Sequence, residues 1–269
     1  MPPPKASAAA VFAEALAVQW RVSGALLLRE IQNRWGRRNL GFAWLFAEPL
    51  VFALPVLIMW SYLRGSHDNG LPMMAFAWSG YLPILIFRHL VGSSLNVVRN
   101  NSALLYHRLV TPLDLFTAAA GLEALGNLAA VIFSFTILYG CGQLNWPADP
   151  WLMIIGFLYS VWWAVSVALV VSALSERSEI VIHIWSPMAY MYMPLSGFMF
   201  LADWLPAPLR RIALTVDPPL HLFEMIRSGL FGARIHTYYD LPYVTYIIAT
   251  MTLIGLWLMR HVRNHLEVL

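Results

Sequence analysis

Glu48, Arg88 and Glu123 stand inside long apolar runs. A charge there is costly, so such residues are the first candidates for ion- or proton-coupled chemistry. Glu48 falls about 12 Å into its run at about 1.5 Å per helical residue, beside Pro49, which frees a backbone carbonyl. The structural alternative is that Arg88 and Glu123 pair, or that Arg88 snorkels to an interface. Phosphate chemistry is easier to exclude. Lys5 is the only lysine in the chain, so a GxxxxGK[ST] loop cannot occur and the chain is not itself a P-loop ATPase. The eight histidines, His67, His89, His107, His183, His221, His236, His261 and His265, form no HExxH and no zinc spacing with cysteine. His261 and His265 lie one helical turn apart in the C-terminal tail, where a solvated role is expected. Ser196-Gly197 is a weak match to an intramembrane serine nucleophile, and the last apolar run holds no histidine to serve as its base.

The elements that carry these residues are hydrophobic. Of 269 residues 59% are apolar and 12% charged, which is membrane rather than soluble usage. Six runs are long enough for a hydrocarbon core of about 30 Å: Leu40–Leu63, Leu71–Leu95, Leu113–Cys141, Trp151–Leu174, Ile180–Leu201 and Leu241–Met259. They lack the period-two alternation of barrel strands, so the expected fold is all-α, a six-transmembrane-helix bundle. The start, MPPPKASAAA, lacks the pattern of a cleaved signal and is expected to be kept. With the N-terminus cytoplasmic, eleven of the 17 basic residues fall inside, so both termini are expected in the cytoplasm. That bias also absorbs the net charge of +3 and leaves none for nucleic acid to explain. The one cysteine, Cys141, cannot form an internal disulfide and says nothing of redox compartment.

Around the spans lie three further segments. Residues 1–39, ahead of a membrane domain at 40–269, carry Phe12, Leu16, Trp20, Leu27, Ile31 and Trp35 in steps of four or seven, the mark of an amphipathic helix lying in the cytoplasmic interface. Residues 99–112 hold a short apolar stripe, Leu104, Leu105 and Leu109, ahead of Thr111-Pro112. The expectation is a cytoplasmic helix ended by that proline and facing a soluble partner. Residues 202–240 hold Pro206, Pro208, Pro218 and Pro219 among apolar stretches too short to cross, and read as two short re-entrant helices capping a pathway on the exterior. Trp44, Trp60, Trp78, Trp151, Trp185 and Trp204 fall near expected span borders, and interfacial belts account for most of them. Tyr159, Trp162, Trp163, Tyr190 and Tyr192 sit deeper. Flat rings stack on sugar faces, so these residues and Arg88 are candidates to line a channel, with helix packing the simpler account of each singly.

Two motifs carry a family resemblance. Arg29-Glu30-Ile31, Arg34, Gly36, Leu40-Gly41, Trp44 and Glu48-Pro49 resemble the opening of inner-membrane permeases in ABC-2 type polysaccharide exporters, nearest to the capsular polysaccharide branch. DPPLHLFEMIR, Asp217 to Arg227, is similar to that family's NPLxHxxExxR through Pro218, His221, Glu224 and Arg227, with Asp217 in place of asparagine and Pro219 in place of leucine. The resemblance covers nearly the whole chain. It implies a multi-pass subunit of the cell inner membrane, a homodimer working with two copies of a separate ATPase that binds ATP and Mg, and no cofactor in this chain. It implies a lipid-linked polysaccharide as cargo and a periplasmic or outer-membrane export partner. Under it, Arg34, Arg37, Arg38, Trp44 and Glu48 would form the substrate entrance, arginine forks being suited to phosphate. Asn101, Leu104, Leu105, Tyr106 and Arg108 would couple to the ATPase, and Asp217, His221, Glu224 and Arg227 would form an exterior gate. The competing readings are an O-antigen or teichoic-acid exporter, an ion-coupled carrier using Glu48, Arg88 and Glu123, and a membrane enzyme on lipid-linked sugars with Glu48 or Glu224 as acid or base.

Overall fold

The computed structural model describes residues 17, 21–32, 51, 55, 58–59, 67–68, 71–106 and 110–266, and is mostly helical. In chain order the described elements are α1 (residues 21–32), a hairpin of β1 (His67–Asp68) and β2 (Leu71–Pro72), α2 (Met73–Ser94), α3 (Val97–Asn100), a 3-10 turn at Ser102–Tyr106, α4 (Pro112–Gly140), α5 (Pro150–Ser175), α6 (Glu179–Tyr192), α7 (Ala207–Val216), α8 (Pro218–Phe231) and α9 (Leu241–Leu266). Among the described residues four stretches are long and apolar enough to cross a membrane: α2, α4, α5 and Leu241–Val262 of α9. They match four of the six expected runs. The run Leu40–Leu63 lies outside the described residues except for helical positions 51, 55 and 58–59.

Local chemistry sets the helix ends. At α4, Thr111 Oγ1 accepts from the Asp114 N–H at 3.3 Å while Asp114 Oδ2 accepts from the Thr111 N–H at 2.8 Å, and Pro112 takes the first helical position, which needs no donor. Thr111-Pro112 therefore opens the next span and does not close the segment before it, which is a short α-turn followed by a 3-10 turn. The same α4 ends where Gly142, at φ +70°, lets its N–H reach Tyr139 O at 3.0 Å and the Gln143 N–H reach Leu138 O at 2.9 Å. Asp149 Oδ1 then caps α5 through the Leu152 N–H at 3.1 Å, again with proline next.

α5 is the hub. It packs on α2, α8 and α9. Small residues bring the backbones close, as helix association without a hydrophobic drive requires. A Cβ at Gly255 of α9 would stand 2.6 Å from Leu169 Cβ, and one at Gly229 of α8 would stand 2.5 Å from the Met153 nitrogen. α2 is buried for most of its length, and the Trp78 indole N–H donates to Ser134 Oγ of α4 at 2.9 Å.

The fifth expected run, Ile180–Leu201, is not one continuous helix. α6 stops at Tyr192 after 14 residues, about 21 Å at about 1.5 Å per residue. Pro187 and Pro194 each lack the N–H that would continue the ladder. The chain then reverses through Gly197, at φ +79°, where a Cβ would collide with Leu220 of α8. α7 and α8 are two short helices, as the proline spacing indicates. α8 lies along α5 in a clear register: Pro219 and Leu222 share a small cavity with Ser160 and Trp163, Ile226 covers Gly156, and Gly229 meets Met153 and Asp149.

Candidate functional site

Asp217, His221, Glu224 and Arg227 are spaced by three and four residues, so α8 presents them on one side to the loop that follows α6 and to the segment before α9. None belongs to a crossing helix. Arg227 is wholly buried. Its Nη1 donates to Gly197 O at 2.9 Å and Phe200 O at 2.6 Å, its Nη2 donates to Phe198 O at 2.5 Å, and the guanidinium lies 4.1 Å from the centre of the Phe76 ring. The three carbonyls belong to the non-helical reversal, so Arg227 supplies the donors that a helix ladder would have supplied. Gly80 makes room: a Cβ there would stand 2.9 Å from Arg227 Nη2 and 2.3 Å from Phe198 O.

Glu224, also fully buried, accepts from the Ala202 N–H through Oε1 and from the Tyr238 N–H through Oε2, both at 3.0 Å. It ties the segments on either side of α7 and α8 together. Burial raises its pKa, against the two N–H donors and Arg227, which lower it. Burial likewise brings Arg227 down to about 10, so it stays cationic at neutral pH. His221 Nδ1 accepts from the Asp240 N–H at 3.0 Å, which leaves Nε2 as the donor to Leu214 O at 2.8 Å. The ring is therefore the neutral Nε2–H tautomer, and burial lowers its pKa. Asp217 accepts from the Tyr192 hydroxyl at 2.5 Å through Oδ1, while its buried Oδ2 has no hydrogen-bond partner among the described residues. Burial pushes its carboxyl up to about 6.

The other expected site residues fall in three groups. Arg34, Arg37, Arg38, Trp44, Glu48 and Arg108 lie outside the described residues. Asn101 accepts from Arg29 Nη1 of α1 at 3.1 Å, and neighbouring Arg99 pairs with Glu179 at 3.1 Å, so this segment is clasped to both α1 and α6. Leu104 and Leu105 pack against the chain's own Leu26, Val97, Leu115 and Ala119. Leu104 and Leu105 are half-buried, Ser102 and Ala103 are exposed, and Leu109 lies outside the described residues. Tyr106 belongs to the same 3-10 turn.

Among the deep aromatics, Tyr159 bonds Thr245 at 3.0 Å and the Trp162 indole N–H donates to Thr252 at 3.2 Å, so both face α9 and hold it to α5. Tyr190 lies under Arg88 at 4.3 Å, and Arg88 also points Nη1 at Met193 Sδ at 4.0 Å. Tyr192 reaches Asp217, and Trp163 lines the cavity beside Pro219. Ser196 donates to Met193 O at 2.9 Å and is buried, which suits a loop residue and not a nucleophile. Among the described residues no group of His, Cys, Asp and Glu could hold a metal. Sequence reasoning missed Gly80, Phe76 and the Arg29–Asn101 link. A glycine inside an apolar run was the only signal for the first.

Residues 22–231 match the family model described as "ABC-2 type transporter". The chain is 36% identical over 245 residues to the capsule polysaccharide export inner-membrane protein CtrC of Neisseria meningitidis serogroup B, covering 91% of this chain and 92% of that one. It is 32% identical over 256 residues to the capsule polysaccharide export inner-membrane protein BexB of Haemophilus influenzae, covering 95% and 96%. The polysialic acid transport protein KpsM of Escherichia coli is 26% identical over 247 residues, covering 88% and 91%.

Proposed function

The chain belongs to the ABC-2 type transporter family, and from that premise we propose that it is the membrane subunit of a capsular polysaccharide exporter of the inner membrane. The observation that carries this reading is likeness along nearly the full length of both partners to two proteins named for that task. In this reading the chain is a permease and not an enzyme. Two copies pair as a homodimer with two copies of a separate ATPase, which binds ATP and Mg. Six spans hold both termini in the cytoplasm, and a lipid-linked glycan enters beside Arg34, Arg37, Arg38, Trp44 and Glu48.

The register of α8 along α5 supports a re-entrant placement for residues 202–240. α8 ends against Asp149 at the start of α5 and begins near Trp163, about 21 Å further along at about 1.5 Å per residue. The clasp of Asn101 to Arg29 supports a coupling path: a partner pushing on residues 99–112 also pulls on the helix beside the entrance. Motion there passes through Glu179 to α6, and from Tyr192 to Asp217 of the exterior cap.

The test is to co-express the tagged chain with its genomic neighbours, weigh the purified complex and assay surface polysaccharide in a strain lacking the chain. A complex of two permeases with two ATPases, and polysaccharide restored by the wild-type chain, is the expected result. A lone oligomer whose transport follows a proton gradient without ATP would replace this reading by the carrier.

A further inference from the structure

The end of the bundle that carries the exterior cap has a second feature, away from the four motif residues. A cavity of about 90 Å³ opens between the α4–α5 connection, the β2–α2 junction and the C-terminal end of α8, lined by Pro72, Asn145, Trp146, Phe231 and Arg234 among others. Its walls are fixed. The Asp149 N–H donates to Gly229 O at 2.8 Å and the Ala148 N–H to Leu230 O at 3.4 Å. Gly232, at φ +57°, turns the chain beneath Ala148, where a Cβ would stand 2.7 Å from Ala148 Cβ.

Trp146 is 65% exposed, yet its ring is held in place, edge-to-face with Tyr139 at 5.9 Å and Phe135 at 6.3 Å. Among the described residues the Arg234 guanidinium has no acidic partner and the Asn145 amide no hydrogen bond. A positioned indole offers a flat face to the C–H side of a sugar ring. An amide beside it meets hydroxyls, and a free guanidinium takes a carboxylate or phosphate through two parallel N–H bonds.

We propose that Trp146, Asn145 and Arg234 form an exterior subsite for a single acidic sugar residue of the polymer as it leaves the chain. The inference rests on the export reading and adds a place and a charge preference to it. The site is shallow and its tryptophan half in water, so it holds one residue weakly and releases it, which suits a polymer that must keep moving.

The experiment uses the full-length chain in nanodiscs, titrated with a tetrasaccharide of alternating glucuronic acid and N-acetylglucosamine and, separately, with neutral cellotetraose. The wild-type chain should bind the acidic probe about ten-fold more tightly, a difference of about 1.4 kcal/mol. Arg234→Gln should remove that preference while leaving cellotetraose unchanged, Arg234→Lys should restore part of it, and Trp146→Ala should weaken both probes. Equal binding of the two probes, no binding by the wild-type chain, or variants indistinguishable from it would overturn the subsite. In a strain lacking the chain, wild-type complementation that fails to restore surface polysaccharide overturns the export reading itself. Wild-type restoration matched by the Trp146→Ala/Arg234→Gln double variant overturns the subsite alone. Loss of a co-purifying envelope protein with oligosaccharide binding unchanged would make this surface a protein contact and also overturn it.

Discussion

Arg227 shows how much one side chain can organise. Its loss removes the charged donor from the carbonyls of Gly197, Phe198 and Phe200, each such hydrogen bond being worth about 1.5–3 kcal/mol. Arg227→Gln should therefore leave little folded protein in detergent, and Arg227→Lys, which keeps the charge but lacks the fork, should lower the melting temperature by several degrees. A lysine variant that melts like wild type would show that charge alone suffices. Asp217 offers a test in pH. Its folded pKa, about 6, lies above the ordinary 3.8, so its contribution favours the folded state at low pH and is lost as pH rises from about 4 through about 6. Asp217→Asn, which keeps an acceptor for Tyr192 without the buried charge, should melt a few degrees higher than wild type at pH 7.5 and no higher at pH 4. A melting difference independent of pH would refute the buried carboxyl as its cause. Asp217, His221, Glu224 and Arg227 were legible in the sequence through the resemblance of DPPLHLFEMIR to a family motif. The partners of the last three were not, because backbone atoms of residues 197–202, 214, 238 and 240 carry no side-chain signature.

At the scale of the element, the contact between α5 and α8 depends on which glycine meets what. A Cβ at Gly229 would strike the Met153 nitrogen and stand 2.9 Å from Asp149 O, backbone in both cases, whereas one at Gly156 would strike Ile226 Cγ1, a side-chain atom, with the nearest backbone atom at 3.2 Å. Gly229→Ala should thus cost more stability than Gly156→Ala, by about 1–3 kcal/mol as for overpacking, and should reduce export at unchanged membrane levels. Equal melting temperatures for the two variants would sink this account. The long helices α2, α4, α5 and α9 were readable because each is a long apolar run, and α4, α5 and α9 also carry a side-chain cap at Thr111, Asp149 and Asp240. The break in the helix of the fifth run was hidden because hydropathy counts apolar residues, while the break is imposed by Pro194 and by an arginine that follows about thirty positions later. The contact of Leu104 and Leu105 with the cluster of Val97, Leu115 and Ala119 was equally hidden, since a short apolar stripe does not say which of the chain's own residues it touches.

At the scale of the molecule, polar clusters gather at two ends. Arg29, Asn101, Arg99 and Glu179 mark one, and the α4–α5 connection, α7 and the segment before α9 mark the other. The sole cysteine, Cys141, is exposed at the second end. An impermeant maleimide should label it in right-side-out spheroplasts and not in sealed inverted vesicles; the reverse pattern would invert the proposed orientation. The carbonyls gripped by Arg227 also constrain biosynthesis. Arg227 lies 27 to 30 residues downstream of them, so a nascent chain that has just completed the reversal still lacks the charged donor that later clamps it. In the proposed re-entrant placement residues 193–227 are expected to settle as one cooperative unit, and chains truncated just before Arg227 should be held by the insertion machinery or degraded, while those extended past it are released.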